Sequence, residues 1–294
     1  MTKQTIGIVG VGLMGHGIAL NVVRKGWPLG YLDHPGNQPT ADLDGLGATR
    51  HADRASLARL SDVIILCVTG TPQVEDVLLG EGGLLAALRP GTVVIDCSTA
   101  IPASTARIAA QVSQAGGRFL DAPMTRTPKE AAEGRLNLLV GADPELFSAM
   151  QPLLSTFAEN IFHAGLEAGA GHTLKLLHNY VSLGSVALIA EAAACAGKAG
   201  IAPEILVDVL RKGGGHGAAL DRLSPYLLSG DSSPMRFSIA NARKDLSYYV
   251  AMAEDLGAAH AVAEGVFADL DRLVEAGHGS DHLPLLAKHL AAEP

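Results

Sequence analysis

A glycine-rich segment near the amino terminus constrains the fold of this chain more than any other feature of its sequence. A short apolar run, Ile6–Val9, leads into Gly10, Gly12 and Gly15, and an apolar helical pattern follows. Gly10 permits a tight turn, Gly12 lets the backbone approach a pyrophosphate, and Gly15 lets the next helix pack closely on the strand. The N-terminal amides of that helix would face the phosphates. The segment therefore predicts a dinucleotide-binding strand–turn–helix unit rather than an ordinary structural turn.

An acidic residue follows at the position that this interpretation requires. The second apolar run, Leu29–Leu32, ends at Asp33, 23 residues after Gly10. A carboxylate at this position accepts hydrogen bonds from the adenosine ribose hydroxyls and repels a 2′-phosphate. The segment 34–37 contains no Lys or Arg that would offset this repulsion. The sequence therefore predicts NAD rather than NADP, the alternative being that Asp33 only caps the end of a strand.

Length and composition indicate a well-buried globular protein. The chain has 294 residues, of which 48% are hydrophobic and 18% charged, and it is long enough for two domains with separate cores. The formal net charge is −8 and the sequence has no Lys/Arg-rich run, which argues against nucleic acid as a partner.

The cysteines and the apolar segments indicate the cellular compartment in which the protein is expected. Cys67, Cys97 and Cys195 are widely spaced and form no C-x-x-C motif, so they are expected to be small buried thiols in a reducing compartment. The N-terminal residues show no signal-peptide pattern, and we expect no apolar run to approach the length of a membrane span. We therefore expect a soluble, cytoplasmic protein with no membrane partner.

Short apolar runs alternate with helical segments up to about residue 162. The strand-like runs are Ile6–Val9, Leu29–Leu32, Val63–Val68, Val93–Asp96, Phe119–Asp121, Leu136–Val140 and Ile161–Phe162, with helical segments such as Ser56–Leu60, Leu84–Leu88 and Ser104–Ala115 between them. This alternation predicts an α/β domain of the Rossmann type over residues 1–162, with a mostly parallel sheet covered by helices on both faces.

Helical patterns replace the strand patterns after residue 163. A long helix of roughly 25 residues, about 40 Å, ends near Gly197, and further helices are predicted over 203–211, 218–228, 238–256, 259–276 and 282–291. Residues 163–294 are therefore predicted to form an all-α domain that is entered by this long helix. We expect a ligand between the two domains, beyond the carboxyl ends of the strands.

The predicted long helix carries four polar residues on one face. Lys175, His178, Asn179 and Ser182 follow the spacing i, i+3, i+4 and i+7. The remaining faces are Leu, Val and Ala, which favours a pocket lining over the alternative of a wet surface. A lysine in such a pocket can exchange a proton with a substrate hydroxyl, and Asn179 can donate a hydrogen bond to the same oxygen.

Four motifs are spread over nearly the whole chain. They are Gly10–Asn21; Asp121–Pro128 with Ala132–Leu136 and Val140–Gly141; Gly171–Asn179 with Glu191–Ala192; and Phe237 with Lys244–Leu246. Together they resemble the β-hydroxyacid dehydrogenase family, relatives of 6-phosphogluconate dehydrogenase. The resemblance implies an oxidoreductase that transfers a hydride between a nicotinamide and a short β-hydroxy acid or its aldehyde acid. It also implies a homodimer or homotetramer formed through the helical domain.

The resemblance also implies roles for single residues. Lys175 matches the catalytic lysine of the family, and Asn179 matches its polar neighbour at the substrate. Lys244 matches a residue that reaches from the helical domain to the nicotinamide side of the cofactor. The implied cofactor-binding set is Gly10, Gly12, Leu13, Met14, Gly15, Asp33, Val68, Thr69, Thr99 and Lys244.

One motif departs from the usual pattern of the family. Members commonly have Asp-Ala-Pro-Val-Ser-Gly-Gly, whose serine and backbone amides hold a substrate carboxylate, whereas Thr125, Arg126 and Thr127 stand in place of Ser-Gly-Gly here. Members that act on a sulfonated three-carbon aldehyde have Arg-Thr at this place. We hypothesise that Arg126 clamps a carboxylate or sulfonate, the alternative being a solvated loop arginine. The implied substrate-binding set is Thr125, Arg126, Thr127, His178, Ser182 and Ser98.

Two histidines and the choice of substrate stay open at this point. His178 either touches substrate or packs on a neighbouring helix, and His216, in a glycine-rich loop, is expected to be exposed. The histidines show no H-E-x-x-H or comparable spacing, so no metal site is predicted. Tartronate semialdehyde, a hydroxyisobutyrate-like acid, serine, threonate and a sulfonated aldehyde all fit the implied substrate class.

Two rival functions fit the same architecture. A non-catalytic dinucleotide-binding scaffold is disfavoured because Lys175, Asn179 and Lys244 are all present. An imine reductase is disfavoured because such enzymes generally have a different residue at the position of Lys175.

Overall fold

The computed structural model describes residues 3–292. The chain divides into two compact units, Met1–Lys175 and Leu176–Pro294. This division falls within a long helix, whereas the boundary predicted after residue 162 precedes that helix.

Within the described residues, the first unit contains one sheet of nine strands. They are β1 (Ile6–Val9), β2 (Leu29–Leu32), β3 (Thr49–His51), β4 (Val63–Leu66), β5 (Val93–Asp96), β6 (Arg118–Asp121), β7 (Met124–Thr125), β8 (Leu136–Gly141) and β9 (Ala158–Gly165). The order is β3-β2-β1-β4-β5-β6-β8-β7, and β9 also pairs with β8. Neighbours from β3 to β6 are parallel, and only β6 and β7 run antiparallel to β8. The predicted mostly parallel sheet is confirmed.

Helices surround this sheet because its strands are apolar on both faces. Ile8 and Ile65 belong to one buried cluster, while Ile64 and Leu66 belong to another, as alternation along a strand requires. The helices are α1 (Gly15–Arg24), α2 (Ala41–Gly45), α3 (Arg54–Leu60), α4 (Thr71–Leu79), α5 (Pro102–Gln114), α6 (Pro128–Glu133) and α7 (Pro144–Leu154), with a 3₁₀ turn at Leu84–Ala87.

The second unit is helical, as predicted. After α8 (Ala170–Lys198), which begins in the first unit, come α9 (Pro203–Lys212), α10 (Ala218–Ser229), α11 (Ile239–Asp255), α12 (Ala261–Glu275) and α13 (Leu286–Ala291), with a 3₁₀ turn at Leu283–Leu285. Its core is one apolar cluster to which α8, α11 and α12 contribute Val186, Leu246 and Leu270, among others.

Helix α8 corrects two expectations from the sequence. It has 29 residues and contains an 18-residue stretch with a mean hydropathy of 1.5, so by length and composition it could cross a membrane, contrary to the expectation that no segment approaches this length. Core helices of soluble proteins meet the same criterion, and Leu176, Val186 and Ala190 are fully buried in the core of the second unit. The helix is therefore weak evidence for a membrane span. Cys195, which was expected to be buried, is exposed on this helix.

Candidate functional site

The glycine-rich turn connects β1 to α1. Gly10 has φ +95°, and a Cβ at this position would lie 2.2 Å from the carbonyl oxygen of Cys67. A Cβ on Gly15 would lie 1.9 Å from the carbonyl oxygen of Gly10, so both positions require glycine. In contrast, a Cβ on Gly12 would meet no atom within 4 Å. The backbone at Gly12 therefore faces open space at the N-terminus of α1, and the turn fits a dinucleotide pyrophosphate. Leu13 is exposed and Met14 is half-buried beside it.

Asp33 lies directly after β2 and is exposed. Its Oδ1 accepts a hydrogen bond from Nη2 of Arg50 at 2.7 Å. Arg50 comes from β3, where it is the register partner of Tyr31, and the Asp33 N–H donates to the carbonyl of His51 at 2.8 Å. Arg50 is 17 residues beyond Asp33, and no local pattern of the sequence indicated this pair.

The carboxyl ends of β4 and β5 are joined by hydrogen bonds. The Val68 N–H donates to Oγ of Ser98 at 3.1 Å, and the Ser98 N–H donates to Oδ1 of Asp96 at 2.9 Å. Ser98 is buried, Thr99 is half-buried and Thr69 is exposed. These residues therefore lie at the edge of the sheet where ligands bind in open α/β folds.

A buried polar network anchors the first turn of α8. Asp121, at the end of β6, is fully buried and accepts hydrogen bonds from the N–H of Gly169 at 2.7 Å and of His172 at 2.6 Å. The His172 ring is also fully buried, with Nδ1 2.8 Å from Oγ1 of Thr105 and Nε2 3.1 Å from the carbonyl oxygen of Ser98. Burial raises the pKa of the Asp121 carboxyl group. The network ties the start of α8 to the carboxyl ends of β5 and β6, and sequence reasoning missed it.

Lys175 follows three residues after His172 on α8. Its side chain is half-buried, and Nζ donates a hydrogen bond to the carbonyl oxygen of Met124 at 2.7 Å. Met124 belongs to β7, in the segment 121–128 that carries the family's second motif. The predicted catalytic lysine therefore lies beside the segment that was predicted to bind substrate.

The three residues after Met124 all have partners in the first unit. Thr125 is buried, and its Oγ1 accepts a hydrogen bond from Asn137 at 3.0 Å. Arg126 has φ +83°, the left-handed region that favours the glycine common in the family at this place. Its guanidinium donates to the carbonyl of Arg135 and pairs with Glu159. The hydrogen bond from Arg126 lowers the pKa of the Glu159 carboxyl group. Anion binding by Arg126 stays a prediction, because in this structure the side chain contacts a carboxylate of the protein.

Thr127 begins α6 in a capping box. Its backbone N–H donates to the carboxylate of Glu130 at 3.0 Å, and its side chain caps the helix in return. The side chain therefore has a structural partner, and substrate binding by Thr127 stays a prediction.

The second unit contains a chain of polar contacts between α8 and α11. The Asn179 amide is buried and donates to Oδ2 of Asp245 at 2.7 Å, and its Oδ1 lies 3.0 Å from Nδ1 of His178. Lys244 pairs with Oδ1 of the same aspartate at 2.9 Å. Three predicted site residues, His178, Asn179 and Lys244, are thus brought together around Asp245. Asp245 belongs to the fourth motif, but the sequence indicated no role for it. Ser182 is half-buried one turn further along α8.

The expected absence of a metal site stays a prediction. Among the described residues, two groups have possible ligand atoms within 4.8 Å of one another: His278, Asp281 and His289, and Glu254, His260 and Glu264. Both groups contain direct His–carboxylate contacts, at 3.0 Å in the first group and 3.4 Å in the second. The side chain of His216 is 59% exposed, in agreement with expectation.

Comparisons with known proteins cover almost the whole chain. Residues 5–165 match the NAD binding domain of 6-phosphogluconate dehydrogenase, and residues 169–288 match the family described as NAD-binding of NADP-dependent 3-hydroxyisobutyrate dehydrogenase. The chain is 33% identical to 2-hydroxy-3-oxopropionate reductase of Escherichia coli over 85% of each protein. It is 32% identical to NAD-dependent L-serine dehydrogenase of Pseudomonas aeruginosa, over 89% of this chain and 86% of that one. The structure of 3-hydroxyisobutyrate dehydrogenase from Salmonella typhimurium has a TM-score of 0.86 at 27% identity and covers 98% of this chain and 100% of its own.

The fold, the glycine-rich turn and these matches define an NAD(P)-dependent oxidoreductase that acts on β-hydroxyacids. The chain belongs to the β-hydroxyacid dehydrogenase family. Imine reductases are also similar in structure, but at 19% and 20% identity they share the fold alone. Similar structures include complexes with NADP+ and with NAD+, so the preference for NAD stays a prediction.

Proposed function

We propose that this protein transfers a hydride between NAD(H) and a short β-hydroxy acid or its aldehyde acid, with a carboxylate or sulfonate as the anionic group. Lys175 is the proton donor and acceptor. The observation that carries the proposal is the contact of Lys175 Nζ with the Met124 carbonyl at 2.7 Å, which holds an ammonium group at the segment 121–128. The preference for NAD(H) is supported by the Asp33 carboxylate after β2.

The nicotinamide ring, when bound, supplies the carbon that accepts or donates the hydride. During reduction of an aldehyde, Lys175 gives a proton from Nζ to the carbonyl oxygen as the new C–H bond forms. During oxidation, Nζ takes the hydroxyl proton as the C–H bond breaks, so charge and protons balance in both directions. Asn179 and Ser182 follow Lys175 by four and seven residues on the same helix, and we assign them to binding of the substrate hydroxyl and anion.

The variant Lys175→Ala tests the proposal. General acid–base catalysis contributes about 10²- to 10⁴-fold, so we expect kcat to fall by roughly that factor while the Kd for NADH is unchanged. Steady-state NADH absorbance and fluorescence titration measure the two quantities. Lys212→Ala is the control, because Lys212 forms an exposed i,i+4 pair with Asp208. Equal loss of catalysis and nucleotide binding would make Lys175 a structural residue, and unchanged catalysis in Lys175→Ala would contradict its role as proton donor and acceptor. Nucleotide binding by the wild-type protein without turnover of any substrate would favour the non-catalytic scaffold.

The anionic group of the substrate is assigned to Arg126. Its guanidinium already binds one carboxylate, that of Glu159, whose side chain is 42% exposed. Planar Arg donors suit both carboxylate and sulfonate. A panel of tartronate semialdehyde, 3-hydroxyisobutyrate, serine, threonate and a sulfonated three-carbon aldehyde will identify the substrate class. Arg126→Ala is expected to raise KM about 10-fold or more for the best anionic substrate.

Arg135→Ala is the matched control for Arg126→Ala, since Arg135 also contacts Glu159, at 3.5 Å, and is 54% exposed. An unchanged KM in Arg126→Ala for every anionic substrate would show that the clamp is wrong. The hydride-transfer proposal itself would survive that result.

We further propose that the protein is cytoplasmic and forms a homodimer or homotetramer through its helical unit. Support comes from α8, where Leu177, Val181 and Leu188 are exposed and lie near one another by helical spacing. Light scattering after size exclusion should give a multiple of the mass of the chain. Replacing Val181 and Leu188 together by Glu should yield the monomer, whereas Val209→Glu on α9 should not.

A further inference from the structure

The adenosine end of the cofactor site contains a charge pair instead of a lone carboxylate. Nη2 of Arg50 lies 2.7 Å from Oδ1 of Asp33, and both side chains are substantially exposed, at 59% and 43%. The pair forms because β3 runs parallel to β2 with Arg50 opposite Tyr31, so that the Arg50 side chain leaves the sheet on the same face as Tyr31 and Asp33. The local charge at this position is therefore close to zero instead of −1.

This neutralisation weakens the repulsion of a phosphate at the 2′ position of the ribose. A lone carboxylate accepts hydrogen bonds from a 2′-hydroxyl and repels a 2′-phosphate. A guanidinium carries five N–H donors, and the bond to Asp33 uses one of them. Arg donors bind phosphate in a bidentate manner, and charge-assisted hydrogen bonds of this kind are about twice as strong as neutral ones.

We propose that Asp33 and Arg50 together form a dual ribose subsite, in which Asp33 binds the 2′-hydroxyl of NAD(H) and Arg50 binds the 2′-phosphate of NADP(H). The protein then uses both dinucleotides, with a preference for NAD(H) of less than about 10-fold. This inference rests on the proposed function, because it refines the cofactor of the same site.

Nucleotide affinity tests the subsite without any enzymatic turnover. NADH and NADPH are titrated into the wild-type protein and into Arg50→Ala, and the Kd values are read from the nucleotide fluorescence. We expect Arg50→Ala to weaken NADPH about 10-fold or more and NADH less than 3-fold, since one charge-assisted contact to phosphate is lost. Asp33→Asn should do the opposite, tightening NADPH and weakening NADH.

Two further variants keep the test specific. Arg50→Lys retains the charge without the planar donor set and should fall between the wild type and Arg50→Ala for NADPH. Arg89→Ala removes another arginine of the first unit, which pairs with Asp62 at the same 2.7 Å and has a similar exposure, and it should leave both Kd values unchanged.

The outcomes separate this inference from the proposed function. Binding of NADH with no measurable binding of NADPH overturns the dual subsite and leaves the oxidoreductase proposal intact. Equal effects of Arg50→Ala on both nucleotides overturn it as well, since Arg50 would then not read the 2′-phosphate. Failure of the wild-type protein to bind either nucleotide overturns both proposals together.

Discussion

The glycine-rich turn of the first unit and the polar contacts around Asp245 in the second unit are built in different ways. In the turn, the atom that excludes a side chain at Gly15 is the carbonyl oxygen of Gly10, five residues earlier. Around Asp245, the Asn179 amide is held by a partner 66 residues away. The first arrangement is therefore a local steric requirement, whereas the second exists only after α8 and α11 have packed in a common core.

The largest expected effect contrasts two glycines of the same turn. A Cβ at Gly15 would overlap the backbone at 1.9 Å, so Gly15→Ala should lower the free energy of unfolding by about 3 kcal/mol or more. A Cβ at Gly12 meets no atom within 4 Å, so Gly12→Ala should fold normally. It should nevertheless weaken NADH binding at least 10-fold, because the methyl group fills the space assigned to the pyrophosphate.

Urea denaturation and nucleotide titration of both variants measure this contrast. Gly45→Ala is a suitable control, because its Cβ also meets no atom within 4 Å and Gly45 lies outside the turn. If Gly12→Ala binds NADH as tightly as the wild type, the open space beside Gly12 is not the pyrophosphate position.

The sequence predicted those features whose determinants are close together along the chain. The glycine positions, Asp33 and the long strands of the sheet fall in this group, because sterics and apolar periodicity act over a few residues. The strands β3 and β7 have three and two residues, too few for a period-2 pattern, and were not predicted. Missing β3 also concealed Arg50, since only the β2–β3 register brings it to Asp33.

The hydrogen-bond and ion-pair partners of the predicted site residues could not be predicted either, because they lie far away along the chain. Glu159 meets Arg126 across 33 residues, and Asp121 meets Gly169, directly before α8, across 48. Arg126 was recognisable as a departure from glycine, but its φ of +83° and its pairing with Glu159 depend on how β7, β8 and β9 associate. A resemblance can assign a position to a site without revealing which groups hold it there.

Asp121 gives the second-largest expected effect. In Asp121→Ala the amides of Gly169 and His172 lose their buried acceptor, and each unsatisfied donor costs about 1–3 kcal/mol, so we expect a loss of about 3 kcal/mol. Asp143→Ala is the matched control, because Asp143 caps α7 through Leu146 at the surface and should cost only about 1 kcal/mol. Equal losses of unfolding free energy for the two variants in urea denaturation would show that burial does not strengthen the hydrogen bonds between Asp121 and the start of α8.

The same two aspartates are expected to respond to pH in opposite directions. Burial raises the pKa of Asp121, so its ionisation opposes folding, and stability is lost as pH rises from the unfolded value of about 4 through the native pKa. The hydrogen bond from Leu146 lowers the pKa of Asp143, so its contribution is present above about pH 4 and is lost as pH falls through the native pKa. Unfolding curves of Asp121→Asn and Asp143→Asn against pH measure both signs.

A smaller effect is expected at Asp245, whose carboxylate joins α11 to α8 through the Asn179 amide. Asp245→Asn keeps an oxygen for the Asn179 amide but removes the charge that holds Lys244, so kcat/KM should fall about 10-fold with the Kd for NADH little changed. Asp271→Asn breaks the neighbouring pair with Arg243, at 2.6 Å, and should leave kcat/KM unchanged. A drop in thermal stability without a drop in kcat/KM would restrict Asp245 to a structural role.

The smallest effect concerns thiol chemistry and leaves fold and activity unaltered. Burial raises the pKa of Cys67 to about 12 and that of Cys97 well above the ordinary value, whereas Cys195 is exposed on α8. At about pH 8 only ~10⁻⁴ of Cys67 is thiolate, so iodoacetamide should modify Cys195 alone in the folded monomeric variant with Val181 and Leu188 replaced by Glu, and all three cysteines in urea. Peptide mass mapping gives the site of each adduct. The Cys67 carbonyl packs closely against Gly10 in the glycine-rich turn. Early modification of Cys67 would therefore mean that this part of the first unit unfolds locally far more readily than the close packing implies.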